Sequence, residues 1–406
     1  EIARYGVPAT IYACVTDPAD GELLSRLFDR QATPEGSNLV LMSQSGKGKR
    51  DAMAKALWHM QAQAPAETYQ LVLMDGDTLL GTGCLHKACS VLQSEADLGA
   101  VTTENIPLVR GSTLQREWYR IRMLQRNNLM SSLSLSRKTL VLTGRFSVFK
   151  GAVACSPSFP LAIEQDRVEH WRIGRIELLT GDDKSTWFNV ISRGWNMLYV
   201  PDSIVHPIEE LPRGGFVLGS VNLMTRWFGN MVRSNGRALR LGPHRCGPFL
   251  WVCLLDQRIS MWTTLLGPTF ASLATLLHSS VYFTIYAFWV MATRGLYCLL
   301  LYLTGGRLHP LFPFLLYYTQ IVGALVKVYV TFHPYRQRWT RQNIARDETS
   351  LHDATNAFLS GIYNLVMAAL FVVFVAVLYD VSQLDERGIQ RSELWADPGA
   401  SDLYSR

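Results

Sequence analysis

Long apolar segments in the carboxyl-terminal part of this 406-residue chain constrain its fold more than any other feature. They cover about residues 259–277, 281–303, 311–332 and 358–379. Each approaches the roughly 20 residues that a helix needs to cross a lipid bilayer. Residues before about 215 have the mixed composition of a soluble domain instead. The sequence therefore predicts a soluble amino-terminal domain that is followed by membrane helices.

Charge and cysteine content narrow the class of protein further. The net charge is only +6, and Lys and Arg form no long stripe, which favours a membrane protein with basic cytoplasmic loops over a nucleic-acid-binding protein. The seven cysteines are scattered and form no Cys-x-x-Cys pair, so we expect reduced thiols and no cysteine metal site. The chain starts at Glu1 without a visible signal peptide, and we expect that an amino-terminal part of the natural protein precedes it.

The soluble half alternates predicted strands with predicted helices. This alternation is typical of the α/β class with a parallel, doubly wound sheet. We expect strands at 9–15, 39–43, 71–74, 99–103, 140–149 and 197–200, and helices at 21–30, 49–62, 82–93, 112–134 and 185–193. The helix over 112–134 carries Arg116, Arg120, Arg122 and Arg126.

Residues 216–241 have the pattern of an amphipathic helix that lies in the membrane interface. One face would be apolar and the other basic. The apolar residues are Met224, Trp227, Phe228 and Met231, and the basic ones are Arg226, Arg233, Arg237 and Arg240.

The loop over 333–346 is rich in arginine, which predicts a cytoplasmic position on the side of the soluble domain. Two membrane crossings before this loop place it on the side of the soluble domain, whereas three crossings would place it on the opposite side. We therefore expect 311–332 to be interfacial or re-entrant and the last apolar segment to cross. The expected divisions are a catalytic domain 1–215, an interfacial helix 216–245, a membrane region 246–380 and a polar tail 381–406.

Asp75 and Asp77 are candidate metal ligands. They directly follow the apolar run 71–74, which reads as a buried strand. Ligands bind at the carboxyl ends of strands in open α/β sheets, and paired carboxylates suit a hard divalent cation that holds a diphosphate. The alternative is a simple turn, because Asp-Gly is a common turn signal.

Two other segments of the soluble domain contain candidate binding or catalytic residues. Lys49 and Arg50 end a glycine-rich run that follows a strand and opens a helix, which suits phosphate binding, with a solvated basic turn as the alternative. Asp182 and Asp183 precede another helix. They could cap it, but Asp183 is also a candidate general base that deprotonates an acceptor hydroxyl in a single inverting displacement.

Arg226 and Trp227 lie just before the membrane segments. A tryptophan there could anchor an interfacial helix. The more specific hypothesis is that Trp227 stacks on a sugar at the mouth of a channel.

Together these motifs resemble those of the membrane-bound processive family 2 glycosyltransferases, which include cellulose, chitin and hyaluronan synthases. The family pattern contains DxD, (T/G)(E/D)D and QxxRW motifs and a cytoplasmic gating loop. Leu223 stands where the family usually has Gln. The matching segments are Asp75-Gly76-Asp77, Gly181-Asp182-Asp183, Arg226-Trp227, the Gly48–Ala52 run, and Trp339-Thr340-Arg341, which is similar to the gating motif; Asp17 matches the family's first aspartate weakly.

Several longer stretches are similar to the alginate synthases within this family, including Leu142–Arg145, Leu179–Ser185 and Arg226–Asn230. This resemblance implies GDP-mannuronate as donor, a growing poly-β-1,4-mannuronate chain as product, and Mg²⁺ or Mn²⁺ as cofactor. It also implies a bacterial inner-membrane location, contact with membrane lipid, and a separate PilZ-type partner subunit that binds cyclic-di-GMP.

The resemblance assigns roles to particular residues. Asp183 with Asp182 would be catalytic, and Asp75 with Asp77 would hold the metal. A uronate donor needs a cation for its carboxylate, because burying an unpaired charge is costly. Arg145 and Lys184 adjoin motifs and are our candidates for that cation. The expected nucleotide-sugar contacts are Asp17, Lys49, Arg50, Asp75, Arg145 and Lys184, the acceptor or channel contacts are Arg226 and Trp227, and the gating residues are Trp339, Thr340 and Arg341.

Two other functions remain open on the sequence. One is a synthase of the same mechanism that uses a UDP-sugar, as chitin or hyaluronan synthases do. The other is a membrane scaffold with an inactive transferase domain. Intact Asp75, Asp77 and Asp183 argue against the scaffold.

Overall fold

The computed structural model describes residues 1–44, 48–63, 68–336 and 351–396, with the side chains of 355–382 in the last range. The strands are β1 Thr10–Val15, β2 Asn38–Ser43, β3 Gln70–Met74, β4 Thr78–Leu80, β5 Leu98–Asn105, β6 Leu108–Arg110, β7 Phe146–Lys150, β8 Arg167–His170, β9 Gly174–Glu177 and β10 Asn196–Glu210. The helices are α1 Ile2–Tyr5, α2 Pro18–Asp29, α3 Lys49–Ala62, α4 Cys84–Ser94, α5 Thr113–Ser134, α6 Gly151–Ala154, α7 Ser158–Glu164, α8 Asp182–Ser192, α9 Gly215–Arg240, α10 Gly242–Cys246, α11 Pro248–Leu277, α12 Val281–Leu303, α13 Phe312–Phe332 and α14 Leu351–Ala396.

The α/β class is confirmed, but the main sheet is mixed rather than parallel. Its order is β3-β7-β5-β10-β4, and β6 pairs with β10. The strand β7 is antiparallel to both of its neighbours, whereas β5 and β10 are parallel. The strands β1 and β2 form a separate parallel pair, and β8 with β9 forms a hairpin. The alternation of strands and helices along the chain predicted the α/β class. The direction of each strand depends instead on the end of the sheet at which the preceding connection enters it.

The expected strand over 140–149 forms only from Phe146 onward. Side chains of α8 donate hydrogen bonds to the backbone carbonyls that a longer strand would use for pairing. Trp187 Nε1 donates to the Thr139 carbonyl at 2.7 Å, and Lys184 Nζ donates to the Leu140 carbonyl at 2.5 Å. The segment before β7 is therefore a loop beside the start of α8.

The main core of the soluble domain extends beyond the boundary that we expected near 246. Trp187 and Phe149 lie at its centre and are almost completely buried. Cys246, Leu250 and Leu254 belong to the same cluster. The first part of α11 thus packs within the soluble domain, although the sequence placed it in the membrane region.

The helix α9 is covered by protein on the face that we expected to meet lipid. Leu223 and Met224 are buried in a cluster with Trp118 of α5 and Leu316 of α13. Its basic face is also occupied, because Arg233 is only 6% exposed and donates to the Pro334 carbonyl at 3.1 Å. The amphipathic pattern predicted the helix correctly, and both of its faces contact other elements.

Three helices in the described ranges are long and apolar enough to cross a membrane: Val281–Leu303, Phe312–Phe332 and Thr355–Ser382. They associate the chain with a membrane. Length and composition alone do not decide which helices cross, so their contacts with the soluble domain matter.

The helix α13 runs alongside α9 over its whole length. Tyr318 Oη and Ser220 Oγ are 2.7 Å apart near its start, and Phe228 contacts Gly323 near its middle. Just after its end, Arg233 holds the Pro334 carbonyl. Trp118 of α5, in the soluble domain, also donates from Nε1 to Thr319 Oγ1 at 3.0 Å. These contacts with α9 and α5 support an interfacial position for α13.

The end of α12 also returns to the soluble domain, where Asn128 Nδ2 donates to Thr304 Oγ1 at 3.0 Å. At the other end of the bundle, Phe270 of α11 packs on Tyr379 of α14 with ring centroids 5.1 Å apart. We therefore propose that α12, α14 and the second half of α11 cross the membrane and that α13 does not, although α11 is not among the three helices that length and apolarity single out.

Cysteine labelling distinguishes this topology from one in which α12 and α13 cross. In a variant without native cysteines, Ser279→Cys should react with a membrane-impermeant maleimide only from the side opposite the soluble domain. Arg307→Cys should react only from the side of the soluble domain. Both positions are exposed. The reverse pattern would show that α13 crosses, and a circular dichroism spectrum equal to that of the unsubstituted protein is the control for folding.

Candidate active site

Asp75 and Asp77 lie on the turn between β3 and β4, at the carboxyl end of a strand as we expected. Thr78 N donates to the Asp75 carbonyl at 3.2 Å, which closes the turn, and Ile208 N donates to the Asp77 carbonyl at 2.8 Å. Because β4 pairs with β10, the turn is fixed on both sides. The Asp75 side chain is 25% exposed, so it can reach a ligand.

Lys49 joins two of the acidic motifs. Its ammonium lies 2.5 Å from Asp75 Oδ1 and 2.7 Å from Asp182 Oδ2. Burial disfavours the charged ammonium, but the two carboxylates outweigh burial and raise the pKa of Lys49. The start of α3, the turn after β3 and the start of α8 therefore meet in one site.

Asp182 and Asp183 are the first two residues of α8, and Gly181 occupies the N-cap with a φ of 84°. Neither carboxylate therefore serves as the N-cap. Burial opposes ionisation of Asp182, but Lys49 overcomes it and lowers the pKa of Asp182. Burial, followed by the neighbouring charge of Asp182, raises the pKa of Asp183. Two carboxyl groups whose pKa values are pushed apart are typical of acid–base sites.

Gly144 lies against this cluster in the loop before β7. A Cβ atom at this position would lie 3.1 Å from Lys49 Nζ, 3.4 Å from Asp75 Oδ2 and 3.5 Å from Asp182 Oδ2. The glycine thus leaves the space beside both carboxylates and the ammonium open. We did not select Gly144 from the sequence, because its role depends on contacts with residues far along the chain.

Three other expected nucleotide-sugar residues make contacts within the protein. Arg50 is buried and donates to the carbonyls of Ile163 at 2.9 Å and Thr180 at 3.0 Å. Arg145 forms an ion pair with Glu209. Asp17 is exposed at the N-cap of α2, where it accepts from Ala19 N at 2.9 Å.

The other proposed uronate ligand, Lys184, is also engaged. Its ammonium donates to the Leu140 carbonyl and lies 4.8 Å from the centroid of the Trp187 ring. Burial lowers the pKa of Lys184 to about 8. A binding role for Lys184 therefore requires it to leave, or to share, the Leu140 carbonyl.

Asn230 links the Arg226–Trp227 segment to the Asp182–Asp183 segment. Its Oδ1 accepts from Thr180 Oγ1 at 2.6 Å and from Arg233 Nη2 at 2.7 Å. A Cβ at Gly181 would lie 2.8 Å from Asn230 Cγ, so the two segments are in close contact. We did not select Asn230 because neither its residue type nor its spacing marks it as functional.

Trp227 packs among aromatic and cationic groups. Its ring is stacked on Trp118 with centroids 6.1 Å apart, and the Arg122 guanidinium lies 4.2 Å from its centroid. Arg226, beside it on α9, is partly buried. The proposed gating residues Trp339, Thr340 and Arg341 lie outside the described residues.

A carboxylate and lysine cluster at the carboxyl end of a strand, in an α/β domain that leads into apolar helices, is the architecture of a membrane-associated glycosyltransferase. The family described as glycosyltransferase like family 2 matches residues 1–230. The chain belongs to this family and is a glycosyltransferase.

Two relatives extend the similarity into the membrane part of the chain. One is named "Glycosyltransferase alg8" from Pseudomonas syringae pv. tomato and is 37% identical over 380 residues. The other carries the same name in Azotobacter vinelandii and is 38% identical over 382 residues. Each match covers 93% of this chain and 76% of the relative.

Gly144→Ala should lower the rate of sugar transfer by about tenfold or more, because a Cβ 3.1 Å from Lys49 Nζ forces the ammonium to shift relative to the two carboxylates. Gly76→Ala is the matched control. It lies between Asp75 and Asp77, but a Cβ there meets no atom within 4 Å. Initial rates of sugar incorporation by purified protein check this prediction. Equal rates for the two variants would contradict it.

Proposed function

We propose that this chain polymerises mannuronate from GDP-mannuronate into poly-β-1,4-mannuronate and passes the polymer across the bacterial inner membrane. The observation that carries this proposal is the Lys49 bridge, which brings the first aspartate of one acidic motif and Asp182 of the other into one site. Similarity over 93% of the chain to proteins named glycosyltransferase alg8 supports alginate as the product.

Asp183 acts as the general base in this proposal. It removes the proton of the acceptor hydroxyl while the hydroxyl oxygen forms a bond to the anomeric carbon of the donor. The bond from that carbon to the diphosphate breaks, and GDP leaves with the electron pair. A raised pKa suits this role, because a base whose pKa lies closer to the working pH accepts a proton more readily.

The chemistry of the donor groups fits a divalent cation at Asp75 and Asp77. Within the described ranges, no group of three or more His, Cys, Asp or Glu residues is placed to hold a metal ion. Two carboxylates fit Mg²⁺ or Mn²⁺ when the nucleotide diphosphate and water complete the coordination. The bound ion would neutralise charge on the departing diphosphate. Asp75 and Asp77 would hold it, and Lys49 would fix the orientation of Asp75.

Arg145 and Lys184 remain our proposed ligands for the donor carboxylate. Their positions at the Gly144 loop and at the start of α8 support the assignment, and their bonds to Glu209 and the Leu140 carbonyl weaken it. Asp17 and Arg50 remain proposed nucleotide contacts on the resemblance alone.

The soluble domain faces the cytoplasm, the apolar helices contact lipid, and the loop over 333–346 closes on the donor through Trp339, Thr340 and Arg341. A PilZ-type partner that binds cyclic-di-GMP regulates the enzyme from a separate subunit.

A donor screen tests the proposed function directly. Purified protein in lipid nanodiscs should form polymer from GDP-mannuronate and not from GDP-mannose, UDP-glucose or UDP-N-acetylglucosamine. Synthesis with a UDP-sugar would identify the alternative synthase. Lack of turnover with every donor, in protein that is folded and inserted, would favour the inactive scaffold.

Asp183→Asn should reduce the turnover number by about 10²- to 10⁴-fold and leave donor binding intact, because only the base is lost. In the unsubstituted enzyme, the turnover rate should fall as the pH decreases and Asp183 becomes protonated. The midpoint of this fall should lie above about 4, the ordinary pKa of Asp. Asp182→Asn should move this midpoint to lower pH, since the lost negative charge no longer raises the pKa of Asp183. Rate profiles against pH provide the check, and an unchanged midpoint in Asp182→Asn would refute the coupling.

Asp75→Ala and Asp77→Ala should each abolish metal-dependent binding of GDP, because each removes a charged ligand of the cation. Calorimetry of GDP binding with Mg²⁺ and with a chelator measures this effect. Asp97→Asn, at an exposed carboxylate distant in sequence from both motifs, is the control. A double variant whose GDP binding is still as sensitive to the chelator would show that the metal lies elsewhere.

A further inference from the structure

The helix α5 presents two arginines on one face, since Arg122 and Arg126 are four residues apart. The Arg122 guanidinium lies 4.9 Å from the Trp118 ring centroid and 4.2 Å from that of Trp227. Its Nη1 atom is buried and has no hydrogen-bond partner. No ion pair among the described residues includes Arg122.

Arg126 is in a similar position closer to the catalytic carboxylates. Its Nη1 donates to Asn127 Oδ1 at 3.3 Å, and its Nη2 is buried without a partner. The negative charges of Asp183 and Glu104 both act on this guanidinium, and the positive charge of Arg145 opposes them. Burial lowers the pKa of both Arg122 and Arg126 to about 10, so both remain charged at neutral pH.

Lys327 of α13 adds a third cation. Its ammonium lies 5.0 Å from the Phe228 ring centroid, and the Arg122 guanidinium lies 6.0 Å from the same centroid. The ring of Phe228 is therefore flanked by a cation from α5 and another from α13. No ion pair in the described part of the chain includes Lys327, although the negative charge of Asp256 acts on it at longer range.

Arg122 Nη1 and Arg126 Nη2 are buried donor atoms without a hydrogen-bond partner, which is costly, and the aromatic rings compensate that cost only in part. A ligand with repeated carboxylates would supply the hydrogen-bond acceptors that these two atoms lack. The aromatic rings beside the cations offer surfaces for sugar rings. The position of Arg126 near Asp183 and of Lys327 on α13 gives the cluster two ends, one at the acceptor side of the active site and one at the membrane region.

We propose that Arg126, Arg122 and Lys327 form a cationic tract that binds the carboxylates of the nascent polyuronate as it leaves the catalytic site. This inference rests on the proposed function and names the residues that select an acidic acceptor. The tract holds successive carboxylates by charge-assisted hydrogen bonds, while Trp227 and Phe228 contact the sugar rings.

Binding of defined oligomers tests the tract without turnover. The probes are an oligomannuronate and its carboxyl-reduced, neutral counterpart, each titrated into full-length protein in nanodiscs with GDP and Mg²⁺ present. Arg122→Gln and Lys327→Gln should each weaken binding of the acidic oligomer by about ten- to a hundredfold, the value of a charged hydrogen bond. Binding of the neutral oligomer and of GDP should change less than about twofold, because neither carries the uronate carboxylates that these cations would hold.

Arg120→Gln is the matched control on the same helix, because Arg120 is half exposed and pairs with Glu117. Arg122→Lys keeps the charge and should recover part of the preference for the acidic oligomer. Equal losses for acidic and neutral oligomers, or a loss of GDP affinity instead, would overturn the tract. A wild-type protein without preference for the acidic oligomer would overturn it as well.

The outcomes separate this inference from the proposed function. If wild-type protein elongates with GDP-mannuronate but the variants bind the acidic oligomer normally, the function stands and the tract is wrong. If wild-type protein uses another donor yet binds the acidic oligomer through these residues, the tract stands and the proposed donor is wrong.

Discussion

The contact of Lys49 with Asp75 and Asp182 is the interaction on which the site depends. Two carboxylates held close together repel each other, and both are removed from much of the solvent. The ammonium between them offsets the repulsion and fixes the geometry of both. Because Lys49 opens α3, Asp75 follows β3 and Asp182 opens α8, one cation fixes three elements of the fold relative to each other. Gly144 maintains the space beside them.

The helix α9 connects this site to the membrane region. Asn230 accepts from Thr180 just before the catalytic carboxylates, and Arg233 reaches from Asn230 to the Pro334 carbonyl after α13. On its other side, the apolar residues of α9 pack against α5 and α13. A single helix thus contacts the catalytic loop, the cations of α5 and the apolar helix α13.

The sequence indicated the candidate catalytic groups but not the contacts that support them. The acidic motifs were found because their residue types and their places beside strands and helices carry the chemistry. Asp182 and Asp183 could still have been helix caps, and only the position of Gly181 at the N-cap removed that alternative. Arg50 shows the opposite case. Its basic type suggested a phosphate ligand, yet its guanidinium is buried on the carbonyls of Ile163 and Thr180.

The sequence by itself determined the α/β class, the turn that carries Asp75 and Asp77, and the presence of apolar helices, because these follow from local periodicity and composition. The tertiary structure decided the mixed direction of the sheet, the cation that joins the carboxylates, and the partners of the arginines. It also placed α13 along α9, although its composition alone permits it to cross a membrane. These features depend on contacts between residues that are more than 25 positions apart, such as Lys49 with Asp75 and Asp182. Local sequence patterns contain no information on such contacts, and folding settles them by pairing charges and burying apolar surface.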